Sequence, residues 1–201
     1  MRLFHSPTSP FVRKVTVLVA EAGIPGVELV SAAGNPLDPG SLPVDLNPLG
    51  KIPALITDDG QVLYDSRVIC RWLDTTFAAG LYPPAPLLWQ TLTLEATADG
   101  ILEAALSMVY EARIRPEERR FPRWTEAQWQ KIERSLDALE RGWIDHLSGP
   151  VDMGQIAVGC ALGHLDFRHS ARPWRAARPD LAAWEAEFSA RPAMAATIPA
   201  G

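Results

Sequence analysis

The sequence predicts a small α/β domain followed by an all-α domain, and three observations carry that prediction. Near the amino terminus the apolar residues change from a strand-like period to a helical period and back, which is typical of a β-α-β unit. An Asp-Asp-Gly turn at 58–60 between two short apolar runs indicates a β-hairpin. The Pro- and Gly-rich stretch AAGLYPPAP then precedes a sequence of helical patterns. We therefore expect domains over residues 1–78 and 88–201, joined by a linker at 79–87.

The first elements form the predicted β-α-β unit. RLFH, residues 2–5, is short, apolar-rich and ends before Ser-Pro, which favours a strand. A helix is expected to begin at Pro10, where valines recur every three or four positions, and to end before Gly23. VELVSA, residues 27–32, is the second strand, and a crossover helix makes it parallel to the first. A loop rich in Pro, Gly and Asn follows at 34–50.

A hairpin and a helix complete the first domain. The hairpin strands are expected within residues 54–57 and 61–64. DSRVICRWLDTTF, residues 65–77, has helical spacing. Its apolar side is predicted to comprise Val68, Ile69, Trp72, Leu73 and Phe77.

Four helices are predicted in the second domain. A long helix is expected over residues 87–113, with a bend at Gly100, and another over 125–147. The stretch at 155–170 is apolar for several turns, so it is expected to be the central buried helix. A last helix is expected over 179–190.

Composition excludes several functional classes. The 201 residues carry a formal net charge of -5 and a pI of about 5.4, which argues against a nucleic-acid surface. No apolar run reaches the ~18 residues of a membrane span. Cys70 and Cys160 lie in apolar helical patterns, which favours reduced core thiols and a cytoplasmic location. The four histidines have no metal-ligand spacing, so no metal is expected.

Three stretches in order, TSPFVRKV, NPLGKIPAL and DSRVICRWL, resemble the N-terminal domain of glutathione S-transferases. QIAVGCALGHLDFR and the stretch RPDLAAWEAEFSARPAMAATIP resemble the helical domain of the same family, specifically its small bacterial members with a Ser-Pro-Phe motif. The resemblance implies a thioredoxin-like domain followed by a helical domain. It further implies a homodimer that conjugates the thiolate of glutathione, its co-substrate, to a small hydrophobic electrophile in detoxification.

Asp65 and Ser66 are expected at the γ-glutamyl end of glutathione. They stand where the hairpin ends and a helix begins, and free N–H groups and the helix dipole make such an end attractive to anions. The resemblance places Ser66 on the carboxylate and Asp65 toward the ammonium group. Either residue could instead be only a helix N-cap.

The loop before the hairpin is expected to hold the rest of the tripeptide. The resemblance implies a cis Ile52-Pro53 bond, with the preceding backbone paired to the cysteinyl part of glutathione. An ordinary proline at a strand start is the alternative. Lys51 could bind the glycine carboxylate as a point charge or be a solvated loop lysine, and the sequence does not separate these.

Ser9 is the predicted catalytic residue. The omega-like and glutaredoxin-like versions of the fold begin this helix with Cys-Pro, whereas this chain has Ser9-Pro10-Phe11. Serine cannot form a mixed disulfide with glutathione, but its hydroxyl can donate a hydrogen bond to a thiolate. Taken without the resemblance, Ser9 reads as an N-cap with proline at the first helical position. Ser6 and Thr8 are rival hydroxyls in the same loop.

The remaining site residues are predicted from the resemblance. Asp99 is expected either to reach across the dimer to the partner's glutathione or only to mark a bend. Phe11 is expected beside glutathione and the electrophile. The other residues expected to line the electrophile site are Tyr110, Arg113 and Trp174.

Two other functional classes remain open. A transferase-like chain can keep glutathione binding without useful turnover and act as a binding or interaction protein. Glutathione-dependent isomerase, dehalogenase or peroxidase chemistry is the other alternative.

The altered capping box Asp152-Met153-Gly154-Gln155 is expected to begin the buried helix, with Asp152 as the cap and Gln155 reaching back.

Overall fold

The computed structural model describes residues 1–200, which form an α/β region followed by helices. The first region contains β1 (Arg2–His5), α1 (Pro10–Glu21), β2 (Glu28–Ser31), β3 (Ala54–Ile56), β4 (Val62–Leu63) and α2 (Ser66–Phe77). The second contains α3 (Leu87–Ile114), α4 (Pro122–Gly142), α5 (Ile144–Leu147), α6 (Met153–Arg168), α7 (Pro179–Ser189) and α8 (Pro192–Ala195). Short 3-10 turns lie at Glu117–Arg119 and Arg175–Ala177.

The strands form one mixed sheet in the order β2-β1-β3-β4. β1 pairs parallel with β2, and Leu3 stands opposite Leu29. β1 pairs antiparallel with β3, where Leu3 stands opposite Leu55, and β3 pairs antiparallel with β4. Leu3 and Leu55 are fully buried because β1 and β3 form the centre of the sheet. The predicted β-α-β unit and hairpin are confirmed, and the arrangement is the thioredoxin-like one.

The buried side of α2 differs from the predicted apolar side. Ile69 and Leu73 are buried against the sheet, but Val68 and Phe77 are exposed. Cys70 is fully buried in place of these two residues. The sequence pattern misassigned them because apolar residues flank the buried stripe on both sides.

α6 is the central helix of the second region, as predicted, and is buried for most of its length. α3 continues through Gly100 over 28 residues and packs along α6. At Gly154 a Cβ atom would lie only 2.8 Å from Leu94 Cβ, so glycine permits the close approach of the two helices.

The helices of the second region differ from the predictions in extent and in number. α4 begins at Pro122, three residues earlier than expected, and it is separated from α5 at Trp143. α8 was not predicted, because four residues are too few to show a helical period. Its Met194 carbonyl nevertheless accepts a buried hydrogen bond from Arg13 on α1 at 3.1 Å.

Asp152 caps α6 as predicted, through a 3.0 Å hydrogen bond from the Gln155 backbone N–H to Oδ1. Its other oxygen, Oδ2, accepts a hydrogen bond from Thr91 at 2.6 Å and lies 2.8 Å from His146 Nε2. The expected return bond from Gln155 is wrong, because its side chain instead donates to the Pro150 carbonyl at 2.6 Å. One carboxylate therefore joins α6 to α3 and α5.

Within residues 1–200, none of the helices combines the length and the apolar character needed to cross a bilayer.

Candidate functional site

Ser9 stands at the start of α1, immediately after the loop that leaves β1. It is half-buried, and its Oγ accepts a 3.4 Å hydrogen bond from the Val12 N–H. This cap uses a lone pair of the hydroxyl, so the hydroxyl proton is left over. Among the described residues that proton has no acceptor. Ser6 Oγ and Thr8 Oγ1, in contrast, lie 3.2 Å apart and bond to one another.

The Lys51–Pro53 segment lies beside this loop. The Ile52-Pro53 bond is cis, as the resemblance implied. Strands β1 and β3 are antiparallel, and Ala54, the first residue of β3, stands opposite Phe4. The residues just before Ala54, Ile52 and Pro53, therefore lie beside the chain that leaves β1. Lys51 is exposed, and its carbonyl accepts a 2.8 Å hydrogen bond from the buried Asn47 side chain, which fixes the approach to Pro53.

Asp65 and Ser66 occupy the N-terminus of α2, as predicted. Asp65 caps the helix by accepting from the Arg67 N–H at 3.0 Å, and its Oδ2 pairs with the Arg67 guanidinium at 2.8 Å. Burial opposes ionisation of Asp65, but these bonds outweigh it and hold its pKa below the usual range. Ser66 is buried, and within residues 1–200 its hydroxyl makes no hydrogen bond.

A buried charge cluster lies behind the site, which we define as Lys14, Tyr82, Glu95 and Asp99. Lys14 is 0% exposed, and its Nζ lies 2.9 Å from Glu95 Oε1 and 2.7 Å from Asp99 Oδ1. The Tyr82 hydroxyl donates to the other Glu95 oxygen at 2.9 Å. The cluster joins α1 to α3 by opposite charges in the buried interior.

Burial and charge act in opposite directions within the cluster. Burial by itself would lower the pKa of Lys14, but the two carboxylates outweigh it and raise that pKa. Burial raises the pKa of Glu95, and the Lys14 charge only partly offsets this effect. The ammonium group of Lys14 therefore favours the ionised form of Glu95 against the effect of burial.

Asp99 was expected either to reach across a dimer to the partner's glutathione or only to mark a bend. In the structure the residue is 4% exposed, and its carboxylate pairs with Lys14. Its Oδ2 faces Arg67, whose Nε is 3.8 Å away. Because Arg67 also pairs with Asp65, the structure connects the buried charge cluster to the N-terminus of α2.

Sequence reasoning missed Lys14, Tyr82, Glu95 and Arg67. Two signals could have indicated Lys14 and Glu95. Lys14 stands in the apolar run of α1, and Glu95 and Asp99 are spaced i, i+4, so they share one face of α3. Two acids on one buried helix face require a cation, but their pairing with Lys14 depends on tertiary structure.

The residues expected around the electrophile differ in their exposure. Phe11 and Tyr110 are half-buried, and burial raises the pKa of Tyr110. Arg113 is exposed at the end of α3. Trp174 was expected to line the site, but it is 2% exposed and its Nε1 donates to Asp166 at 3.0 Å. Since this indole is part of the core, we leave Trp174 out of the site.

Comparison with known families agrees with this fold. The N-terminal domain family of glutathione S-transferases matches residues 8–76, and the C-terminal domain family matches residues 122–187. The chain belongs to the glutathione S-transferase family.

Its relatives match over almost the whole length. An uncharacterized GST-like protein of Escherichia coli strain K12, YibF, is 36% identical over 99% of this chain and 98% of its own. A glutathione transferase family member from Pseudomonas fluorescens Pf-5 with bound glutathione is 45% identical, with a TM-score of 0.96 over 100% of this chain and 99% of the other. A structure of such a Pf-5 protein with S-(propanoic acid)-glutathione is 44% identical, with a TM-score of 0.92 over 99% of each chain.

Proposed function

We propose that this protein is a glutathione transferase in which Ser9 stabilises the glutathione thiolate. The observation that carries the proposal is the Ser9 hydroxyl at the start of α1. Its lone pair caps the helix, and its proton has no acceptor among residues 1–200. Ser6 and Thr8 share one hydrogen bond, which uses one of their two hydroxyl protons. They are weaker candidates because neither is the N-cap of α1, where the helix dipole favours an anion.

The strength of one such bond is sufficient for the proposed role. A hydrogen bond to a charged group contributes about 1.5–3 kcal/mol, which corresponds to about one to two pKa units. A thiol with an ordinary pKa of ~8.5 would then be about one quarter to three quarters ionised at pH 7. The N-terminus of α1 adds a favourable dipole for the anionic sulfur.

The tripeptide is proposed to extend from Ser9 toward α2. The backbone at Ile52 and Pro53 pairs with its cysteinyl part. Ser66 and the free N–H groups of α2 bind the γ-glutamyl carboxylate, and Asp65 attracts the ammonium group. Lys51 is exposed and reaches the glycine carboxylate as a point charge.

Asp99 is proposed to act through Arg67 as a positioning residue. Arg67 lies between the carboxylates of Asp65 and Asp99, at 2.8 and 3.8 Å. A guanidinium held from both sides restricts the orientation of Asp65. Asp65 therefore keeps its cap geometry when the ligand ammonium approaches.

The proposed reaction joins the glutathione sulfur to an electrophilic carbon. The thiolate supplies the electron pair of the new C–S bond, and a leaving group such as chloride departs with the electron pair of the broken bond. Phe11, Tyr110 and Arg113 are proposed to line the acceptor site. The Pf-5 relative binds a glutathione that carries a substituent on its sulfur, which supports space for an acceptor at this position.

Two further features belong to this proposal. The protein is proposed to act as a homodimer, as the resemblance implies. A cytoplasmic location and a role in detoxification are also proposed, and the free, buried thiols of Cys70 and Cys160 support a reducing compartment.

The test is steady-state conjugation of glutathione to chlorodinitrobenzene by the wild type, Ser9→Ala and the control Ser6→Ala. We expect kcat/KM to fall about 10- to 100-fold in Ser9→Ala, as the loss of one charge-assisted bond requires. Ser6→Ala is expected to stay near wild type. Equal activity of Ser9→Ala and wild type, or a larger loss in Ser6→Ala, would refute the role of Ser9.

A further inference from the structure

A cleft of about 250 Å³ lies where the ends of α3 and α6 meet the start of α4. Its lining includes three arginines, Arg113 on α3, Arg168 on α6 and Arg172 just beyond α6. In the described part of the chain no carboxylate lines it. Three cations around one concave space create a positive potential that attracts anions.

The nearby acids neutralise only one of the three arginines that line the cleft. Three acidic residues lie close to the cleft-lining residues in the sequence, one each on α3, α4 and α6. Each of them already has an arginine partner. These pairs are Glu126–Arg172 at 3.0 Å, Glu111–Arg115 at 2.7 Å and Asp166–Arg175 at 2.6 Å. Only one of the three lining arginines is thereby paired.

Arg113 and Arg168 remain without a carboxylate partner within residues 1–200. The Arg168 guanidinium lies over the ring of Phe167, with its carbon 3.9 Å from the ring centroid. Burial lowers the pKa of Arg168, and the like charge of Arg113 lowers it further. An anion between the two guanidinium groups would relieve this repulsion and could accept hydrogen bonds from both.

A simpler explanation covers part of this arrangement. Arg113 and Arg168 each lie in the last turn of a helix, where a cation interacts favourably with the helix dipole. That explains one arginine at each end, but not why both line one cleft together with Arg172. The cleft wall is also fixed, because the His169 Nε2–H donates to the Ala105 carbonyl at 3.0 Å.

We propose that this cleft binds the anionic group of a small molecule, with Arg113 and Arg168 as its ligands. The group is a carboxylate, sulfonate or phosphate, which matches the planar donor fork of arginine. It belongs either to the acceptor substrate or to a separate small anion. Both sources share the same recognition chemistry.

The first test measures anion binding directly and does not depend on transferase activity. Calorimetric titrations at fixed ionic strength compare benzoate, neutral benzamide and inorganic phosphate on the wild type, Arg113→Gln and Arg168→Gln. Arg134→Gln is the matched control, because Arg134 is exposed on α4 outside the cleft. We expect benzoate to bind, benzamide not to bind, and either cleft variant to lose about tenfold or more in affinity.

Several results would overturn the cleft proposal. The proposal is wrong if the protein binds benzoate no more tightly than benzamide. It is also wrong if Arg134→Gln loses as much benzoate affinity as the cleft variants do. A lower melting temperature in Arg168→Gln with unchanged benzoate affinity would show that the arginine serves only its helix end.

A second test identifies the source of the anion and rests on the proposed function. It compares conjugation of chloronitrobenzoate and its methyl ester, each divided by its uncatalysed rate. A preference for the carboxylate that is lost in Arg168→Gln assigns the anion to the acceptor. Benzoate binding without that preference assigns the cleft to a separate anion. If neither acceptor reacts while benzoate still binds, the transferase proposal fails and the cleft proposal stands.

Discussion

Ser9 and Lys14, five residues apart at the N-terminal end of α1, use their polar groups in opposite ways. Ser9, the N-cap, is half-buried, and its hydroxyl proton has no acceptor among residues 1–200. At Lys14 the charge is fully buried and is matched by Glu95 and Asp99. The open end is suited to a ligand, whereas the closed region fixes the helix that presents the open end.

The largest expected effect comes from breaking the closed region. Lys14→Met would leave Glu95 and Asp99 buried without their cation, so unfolding free energy should fall by about 3–5 kcal/mol. Denaturant unfolding measures this change. Lys131→Met, at an exposed position of α4, is the control and should change stability by less than about 0.5 kcal/mol.

A second variant separates charge from packing in the same region. Lys14→Met combined with Glu95→Gln and Asp99→Asn removes the unpaired charges along with the cation. We expect it to recover more than half of the lost stability. If the triple variant is no more stable than Lys14→Met, loss of packing rather than of charge pairing controls this region.

His164 on α6 tests whether the interior behind α1 tolerates a new charge. Burial lowers its pKa to about 3, and the charges of His169, Arg168 and Arg13 act in the same direction. Within residues 1–200 neither ring nitrogen has a hydrogen-bond partner. The folded protein therefore disfavours the charged form. The neutral His164 side chain therefore contributes its full share of stability above 6.5, its pKa in the unfolded chain, and this share is lost as pH falls from 6.5 toward the folded pKa.

The expected loss is about 1.4 kcal/mol per pH unit below 6.5, or about 2 kcal/mol at pH 5. Urea unfolding at several pH values measures it. His164→Leu should flatten this part of the profile. An equally steep profile in that variant would assign the acid sensitivity to other groups.

The Asp152 cap is expected to contribute less. Asp152→Ala removes the cap of α6 and should lower stability by about 0.5–2 kcal/mol, toward the upper end because Thr91 loses its partner too. Thermal unfolding measures the change, and Asp152→Asn should recover part of it. An unchanged melting temperature in Asp152→Ala would contradict this role.

The smallest effect on stability is expected at Arg67, whose guanidinium lies between Asp65 at the start of α2 and Asp99 on α3. Its side chain is 56% exposed, so Arg67→Gln should change unfolding free energy by no more than about 1 kcal/mol. If Arg67 orients Asp65, the KM for glutathione should nevertheless rise while kcat stays near wild type. A fall in kcat alone would contradict a positioning role.

Local patterns were sufficient for much of the fold. The β-α-β unit and the hairpin followed from apolar periodicity and one Asp-Gly turn, and the cap at Asp152 followed from helix-start rules. The same patterns located Ser9, Asp65 and Ser66 at helix starts, because capping is a local property.

Features that depend on tertiary contact were not predictable. Lys14 and Glu95 are far apart in sequence, and no local rule pairs them. Asp99 was left between a contact across the dimer and a helix bend, because the sequence could not reveal its pairing with Lys14. Trp174 was placed in the acceptor site, but an indole next to a helix end packs equally well into the core.

The most direct test of the account is the pKa of the glutathione thiol when bound to the protein. An ultraviolet pH titration of thiolate absorbance, at saturating glutathione, compares wild type with Ser9→Ala. We expect the bound thiol of the wild type to titrate well below ~8.5 and that of Ser9→Ala to titrate about one to two units higher than the wild type. The same thiol pKa in both proteins would mean that Ser9 is only a helix cap, and the central claim would be wrong.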